Sequence, residues 1–275
     1  MTIQTQIENI ISETGTLFQD KEVFDTNYLP EQYRFRDAQL QTMASHYVGI
    51  TRGDKPNNLF LKGTYATGKS STVKTFFKVL EQMNKNIVTV HINCIRYNTE
   101  YKVIHKIYEK VYDTRMGIGS STHQLFDKII KKLTKEDKIL VVCLDDFNSF
   151  TTNKELNTTM YNLLRATESY DAAKISLITI SSKDSDLINL DPNVNTIYHP
   201  CVIDFPSYHR EEIFEILNQR CELGFHRGVI SKQVINGVAE KTWEKGDLRY
   251  GIMKLKSMGE RAEFRHDSMV CWSHF

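Results

Sequence analysis

The stretch Gly63-Thr64-Tyr65-Ala66-Thr67-Gly68-Lys69-Ser70 constrains this chain more than any other. Glycines at its two ends permit a tight turn and close backbone approach, so main-chain N–H groups can surround phosphate oxygens. Leu59-Phe60-Leu61 before it reads as a short buried strand, and Ser70 to Met83 after it as a helix. That order sets an anion at a helix N-terminus, where the dipole favours negative charge. Gly63, Ala66, Thr67, Gly68, Lys69, Ser70 and Ser71 are the candidate phosphate-binding residues. Lys69 is placed to reach the β- and γ-phosphates of a nucleotide, and Ser70 to offer a hydroxyl to Mg²⁺.

A phosphate loop of this kind needs a carboxylate for the metal, at the end of a second apolar strand. Leu140-Val141-Val142-Cys143-Leu144-Asp145-Asp146 supplies it, with Asp145 as the Mg²⁺ ligand and Asp146 to polarise an attacking water. Guanine-reading motifs do not follow: Asn148 stands where Asp-x-x-Gly needs glycine, and there is no Asn-Lys-x-Asp. ATP or ADP with Mg²⁺ is therefore the expected ligand.

Strand and helix patterns alternate around these motifs. Asp37 to Tyr47, Tyr101 to Val111, His123 to Leu133 and Glu155 to Thr167 read as helices. Ile87 to Ile92, Ile139 to Leu144, Ile175 to Ile180 and Ile197 to Phe205 read as strands. Short apolar runs interleaved with helices imply an α/β fold, a parallel sheet covered by helices on both faces. After Pro206 only helical patterns remain, over Glu211 to Cys221, Ser231 to Lys241 and Asp247 to Ala262, which implies a small all-α domain. Ile3, Ile7, Ile10 and Ile11 share one face of a further helix at the N-terminus. The expected divisions are an N-terminal segment 1–35, a nucleotide-binding domain 36–205, a helical lid 206–262 and a tail 263–275.

Composition narrows the setting. A net charge of +1 gives no bulk attraction to nucleic acid, so any such contact must come from a local patch. Five scattered cysteines without C-x-x-C spacing point to a reducing, cytoplasmic compartment without structural zinc. No secretory leader and no membrane-length apolar run is present, so no membrane partner is expected.

Several further stretches, taken in order, resemble the archaeal replication initiators of the origin-recognition and cell-division-control type, which are AAA+ proteins. They are Tyr28-Leu29-Pro30-Glu31 with Arg36-Asp37, Asn93-Cys94-Ile95-Arg96-Tyr97-Asn98-Thr99, Leu163-Leu164-Arg165-Ala166, Leu190-Asp191-Pro192, Phe205-Pro206-Ser207-Tyr208 and Gly246-Asp247-Leu248-Arg249. The resemblance runs from about Phe18 to about Ala262. It implies an AAA+ P-loop domain followed by the helical lid. It also implies that Tyr28 and Pro30 cover the adenine, that Tyr208 and Arg220 hold the nucleoside end, and that Arg249 acts as sensor 2 on the γ-phosphate. Ser182 occupies the sensor-1 position, where the family usually has asparagine. Asp146 stands where glutamate is usual, and Asn193 and Asn195 stand where the family has basic residues that act on a neighbouring subunit's ATP. The family's winged-helix domain has no counterpart, since Glu263 to Phe275 is too short to form one.

The resemblance also implies a DNA-touching element after the second strand. Arg96, Lys102, Lys106, Lys110 and Arg115 lie there among tyrosines, and the three lysines recur every fourth residue along one helix face. Such a stripe could follow the phosphates of double-stranded origin DNA. The leading reading is an ATP-gated initiator switch with slow hydrolysis at most, working with other initiator subunits or a replicative helicase. The alternative is an ATP-binding protein that regulates a full-length initiator or helicase loader without touching DNA. A P-loop kinase is a third reading, for which no acceptor-site motif is visible.

Overall fold

The computed structural model describes residues 16–30, 34–114, 119–166, 173–182 and 190–275. The Ile3–Ile11 helix, Glu31, Arg115 and the Thr167 end of one expected helix lie outside the described residues. The chain divides into two compact units, one formed by Tyr33–Ser207 and the other by Met1–Gln32 together with Tyr208–Phe275.

The first unit is α/β. Its strands are β1 (Leu59–Lys62), β2 (Ile87–Asn93), β3 (Ile139–Asp145), β4 (Lys174–Ser181) and β5 (Cys201–Asp204). They form one sheet in the order β2-β3-β4-β1-β5, with every neighbouring pair parallel. Its helices are α1 (Asp37–Ser45), α2 (Lys69–Met83), α3 (Glu100–Tyr112), α4 (Thr122–Lys135), α5 (Asn153–Leu164) and α6 (Pro192–Tyr198). Side chains alternate across a strand, and here both faces are apolar because both are covered. Leu140, Val142 and Leu144 of β3 join a core with Ile104, Ile107, Ile129 and Leu163 of α3, α4 and α5. Ile139, Val141 and Cys143 enter the opposite core with Met43 of α1 and Val73, Phe76 and Leu80 of α2. A strand fully buried on both sides, as β3 is, cannot show the alternating pattern of a half-exposed one.

One expected strand is corrected. Ile197 to Phe205 does not run extended throughout, because its first two residues end α6. Pro192 at the head of that helix has the backbone angle a first turn needs and no N–H to waste. The helix stops at His199, in the left-handed region, and only Cys201–Asp204 pairs with β1. Tyr198 is apolar in pattern because its ring is wholly buried, with its hydroxyl donating to Leu59 O at 2.8 Å and sharing a 2.7 Å bond with Thr179.

The second unit is all-α: α7 (Arg210–Gly224), α8 (Lys232–Lys245) and α9 (Leu248–Phe264). Asp247 caps α9 by accepting the Arg249 N–H at 2.9 Å. The stretch from Phe18 to Tyr28 belongs to this unit. Phe18, Phe24 and Phe225 form a ring cluster with centroids 4.8–5.8 Å apart. Gly224 and Gly259 leave the space that the Phe24 and Phe18 rings fill. Beyond Ala262 the chain does not trail away: Val270 bridges to Ile230, and buried His274 lies 2.9 Å from Asp267. No helix among the described residues is long and apolar enough to cross a membrane.

Candidate nucleotide site

All five strands are parallel, so their carboxyl ends share one edge of the sheet, where α/β folds place ligands. The loop from Gly63 to Gly68 joins β1 to α2 at that edge. Gly63 has φ +151°, and a Cβ there would collide with the carbonyl of Phe205. Gly68 caps α2 at φ +87°, a conformation that suits glycine. Ala66 takes φ +58°, at a cost of about 1–2 kcal/mol for a residue with a Cβ.

Lys69, the first residue of α2, is buried and turns back into the loop. Its Nζ donates to Gly63 O at 2.6 Å, to Thr64 O at 2.7 Å and to Thr67 Oγ1 at 3.3 Å. The Thr67 hydroxyl in turn donates to Thr64 O at 2.9 Å. The lysine charge is thus inside the loop whose N–H groups and helix end already favour an anion. Ser71 continues the first turn of α2 and is partly buried.

The second motif meets the first at Ser70, whose hydroxyl lies near enough to the Asp145 carboxylate to lower its pKa. Burial pushes this carboxyl's pKa up, but the neighbouring His91 ring, the Ser70 hydroxyl and the charge of Lys74 outweigh it. The net effect holds Asp145 below the usual aspartate range. His91 Nε2 lies 3.2 Å from Asp145 Oδ2, a contact that does not meet hydrogen-bond geometry. Asp146 follows at φ +53° and opens a 3₁₀ turn over Phe147–Ser149. Between β1 and β3 lies β4, with Lys62 opposite Ser181 and Asp145 opposite Ile180. Ser182 therefore emerges at the same edge, between the loop and the carboxylate.

The remaining candidates lie in the helical unit. Arg220, on α7, donates from Nη1 to Val23 O at 2.6 Å and from Nη2 to Tyr28 O at 3.3 Å, and its guanidinium sits 4.6 Å from the Tyr28 ring. Pro30 follows Tyr28 in the same segment and is partly buried, and Tyr208 is buried just ahead of α7. Arg249 lies in the first turn of α9 with an exposed side chain.

Two residues near the site have no individual role assigned by the sequence. Arg36 is 2% exposed and donates to the carbonyls of Thr67, Phe35 and Pro206. It was visible only as part of a short motif, because a single arginine before a helix carries no pattern of its own. His91 is the one histidine of β2, the strand paired directly with the one that ends in Asp145.

The lysine stripe on α3 is present but largely neutralised. Lys106 pairs with Glu109 and Lys110 with Glu81, each at 2.9 Å. Lys102 bonds Asn98 at 2.9 Å, and exposed Arg96 lies 5.5 Å from the Tyr97 ring. Among the described residues, Arg96 and Lys102 have no carboxylate partner.

A parallel sheet that carries a glycine-ended loop closed on a lysine after one strand and a buried aspartate after another, and is followed by a helical unit, has the architecture of the AAA+ class. Residues 214–275 match the Cdc6 AAA+ ATPase-type lid domain. The chain is 34% identical over 258 residues to ORC1-type DNA replication protein 2 of Methanothermobacter thermautotrophicus, covering 94% of this chain and 68% of that protein. It is 35% identical to ORC1-type DNA replication protein 6 of Halobacterium salinarum, covering 96% and 71%. The fold superposes on the Aeropyrum pernix Orc1 protein, solved in complex with DNA, with a TM-score of 0.83 and 26% identity over 94% of this chain and 68% of that one. The chain belongs to the ORC1-type DNA replication proteins and is a replication initiator of the AAA+ class.

Proposed function

We propose that this initiator binds ATP with Mg²⁺ and uses the nucleotide as a switch for binding double-stranded origin DNA. The observation that carries the nucleotide part is the glycine-ended loop closed around buried Lys69 at the start of α2, on the same sheet edge where β3 ends in buried Asp145 beside Ser70. A hydroxyl and a carboxylate are hard oxygen donors, the kind Mg²⁺ takes alongside phosphate oxygens, so this pair fits the metal. The bound ion would offset negative charge on the phosphates. Lys69 and the N–H groups of the loop hold the β- and γ-phosphates, and Asp146 orients water. Ser182 and Arg249 sense the γ-phosphate, while Tyr28, Pro30, Tyr208 and Arg220 serve the nucleoside end. The shorter reach of Ser182 and Asp146, compared with the asparagine and glutamate usual at these positions, favours slow hydrolysis.

Support for the DNA part comes from the Aeropyrum pernix Orc1 complex and from the exposed cations Arg96 and Lys102. The ion pairs of Lys106 and Lys110 favour a second reading, in which the chain regulates another initiator or a helicase loader through protein contacts. Fluorescence anisotropy with labelled origin duplex, with and without Mg·ATP, separates the two. Salt-sensitive binding that changes with ATP supports the switch. No binding at low salt, together with a stable protein partner recovered on pull-down, supports the regulator.

A further inference from the structure

We infer that Arg36 is a positioning residue that locks the phosphate loop to the segment leading into the helical unit, so that loading of the loop is transmitted to that segment. This rests on the nucleotide reading above and extends it to a residue outside the phosphate cradle.

Three independent fastenings join the same two stretches of chain, all inside the α/β unit. The first is Arg36 itself, whose Nε donates to Thr67 O at 2.9 Å and whose Nη2 donates to Pro206 O at 2.8 Å. Its guanidinium also lies 5.8 Å from the Phe205 ring. The second is the close approach of Gly63 to the Phe205 backbone, where a side chain would not fit, next to the 2.7 Å bond from Phe205 N–H to Lys62 O. The third is a 3.1 Å bond between the hydroxyls of Thr64 and Ser207. The α/β unit ends at Ser207, and Tyr208 begins the helical unit.

The chemistry of the Arg36 contact suits transmission. A guanidinium is planar and holds several donors in a fixed fork, so two acceptors on different segments are kept at a set separation. Both acceptors are main-chain carbonyls, so a shift of the loop backbone at Thr67 must be followed by Pro206 or must break a charge-assisted hydrogen bond. The contact is buried, where such a bond is least exposed to competition from water. Lysine at this position would keep the charge but could not bridge two carbonyls in the same geometry.

The test compares the full chain with Arg36→Lys and Arg36→Gln, using Mg·tripolyphosphate and Mg·ATP as ligands. Tripolyphosphate has no base, so it reports on the loop alone. Calorimetry gives affinity, and hydrogen exchange of the Phe205–Ser207 peptide at ligand saturation gives transmission. The expected result is that both variants bind both ligands about tenfold more weakly, as loss of a charge-assisted bond implies. Tripolyphosphate is expected to slow exchange at Phe205–Ser207 in the wild type but not in the variants. Should Arg36 variants fail to fold, Thr64→Val combined with Ser207→Ala removes the parallel fastening, with an expected loss of about threefold in affinity. Wild-type affinity and wild-type transmission in the Arg36 variants would overturn the inference. So would a lowered melting temperature with affinity of the folded fraction and transmission unchanged, since Arg36 would then serve only stability. Absence of any binding by the wild type would show that the nucleotide reading had failed first, and this inference would fall with it.

Discussion

Replacing Arg220 with methionine should loosen the N-terminal segment without unfolding the helical unit. Methionine keeps an apolar stem in a site that is 9% exposed, but removes the guanidinium. Two carbonyls, Val23 O and Tyr28 O, lose their donor. The short bond contributes about 1.5–3 kcal/mol as a charge-assisted one, and the 3.3 Å bond less. The stack on Tyr28 adds about 0.5–1 kcal/mol. Water recovers part of this once the segment opens, leaving a net loss of about 2–3 kcal/mol, or roughly 30- to 150-fold in the opening equilibrium. The Phe18–Phe24–Phe225 cluster remains, so the segment stays anchored at its other end. Hydrogen exchange over Val23–Tyr28 under native conditions reads the opening directly. If Tyr28 serves the base as proposed, ATP affinity should fall while Mg·tripolyphosphate affinity stays put. Exchange within threefold of wild type, or equal loss for both ligands, would refute this reasoning.

Two other changes test neighbouring parts of the account. Gly63→Ala forces a Cβ against the Phe205 carbonyl at a backbone angle that side chains rarely adopt, so it should destabilise the α/β unit by about 2–4 kcal/mol, measured by chemical denaturation. Glu81 accepts hydrogen bonds from the Thr89 hydroxyl and Lys110, and although burial raises its pKa, these partners bring it below the glutamate reference of 4.5. Its contribution is therefore complete above that reference and is lost as pH falls through the lowered value. Glu81→Gln should flatten the acid limb of the stability profile by less than about 1 kcal/mol, because the pair is partly open to solvent.

Much of the site was legible because its chemistry is local in sequence. The phosphate loop, its strand and its helix are contiguous, and glycine, lysine and serine are the residues such a turn requires. Asp145 could be singled out only because the glycine-ended loop calls for a carboxylate after a second apolar strand; acids ending a strand are otherwise often helix caps. The parallel sheet followed from apolar runs alternating with helices, whereas its edge at Ile197 did not. Tyr198 is buried through a helix, and an apolar helical end next to a short strand looks like one longer strand. Periodicity located the lysines of α3 but could not show that Glu81, on α2, reaches across to Lys110. Arg36 escaped because its partners are carbonyls, which every residue has, so no side-chain pattern marks them. The union of Phe18–Tyr28 with the helical unit depends on pairs more than 190 residues apart, such as Arg220 with Val23. No local signal encodes such a pairing, although Gly224 and Gly259 are its imprint once the structure is known.

In the proposed function, a triphosphate sits in the loop between Gly63 and Ser70 against Asp145. Titration calorimetry of the folded chain with ATP in Mg²⁺ buffer, alongside Lys69→Ala, tests it most directly. A single saturable site in the wild type that is lost in the variant is the expected result. Equal heats from both proteins, or none from a well-folded wild type, would contradict it.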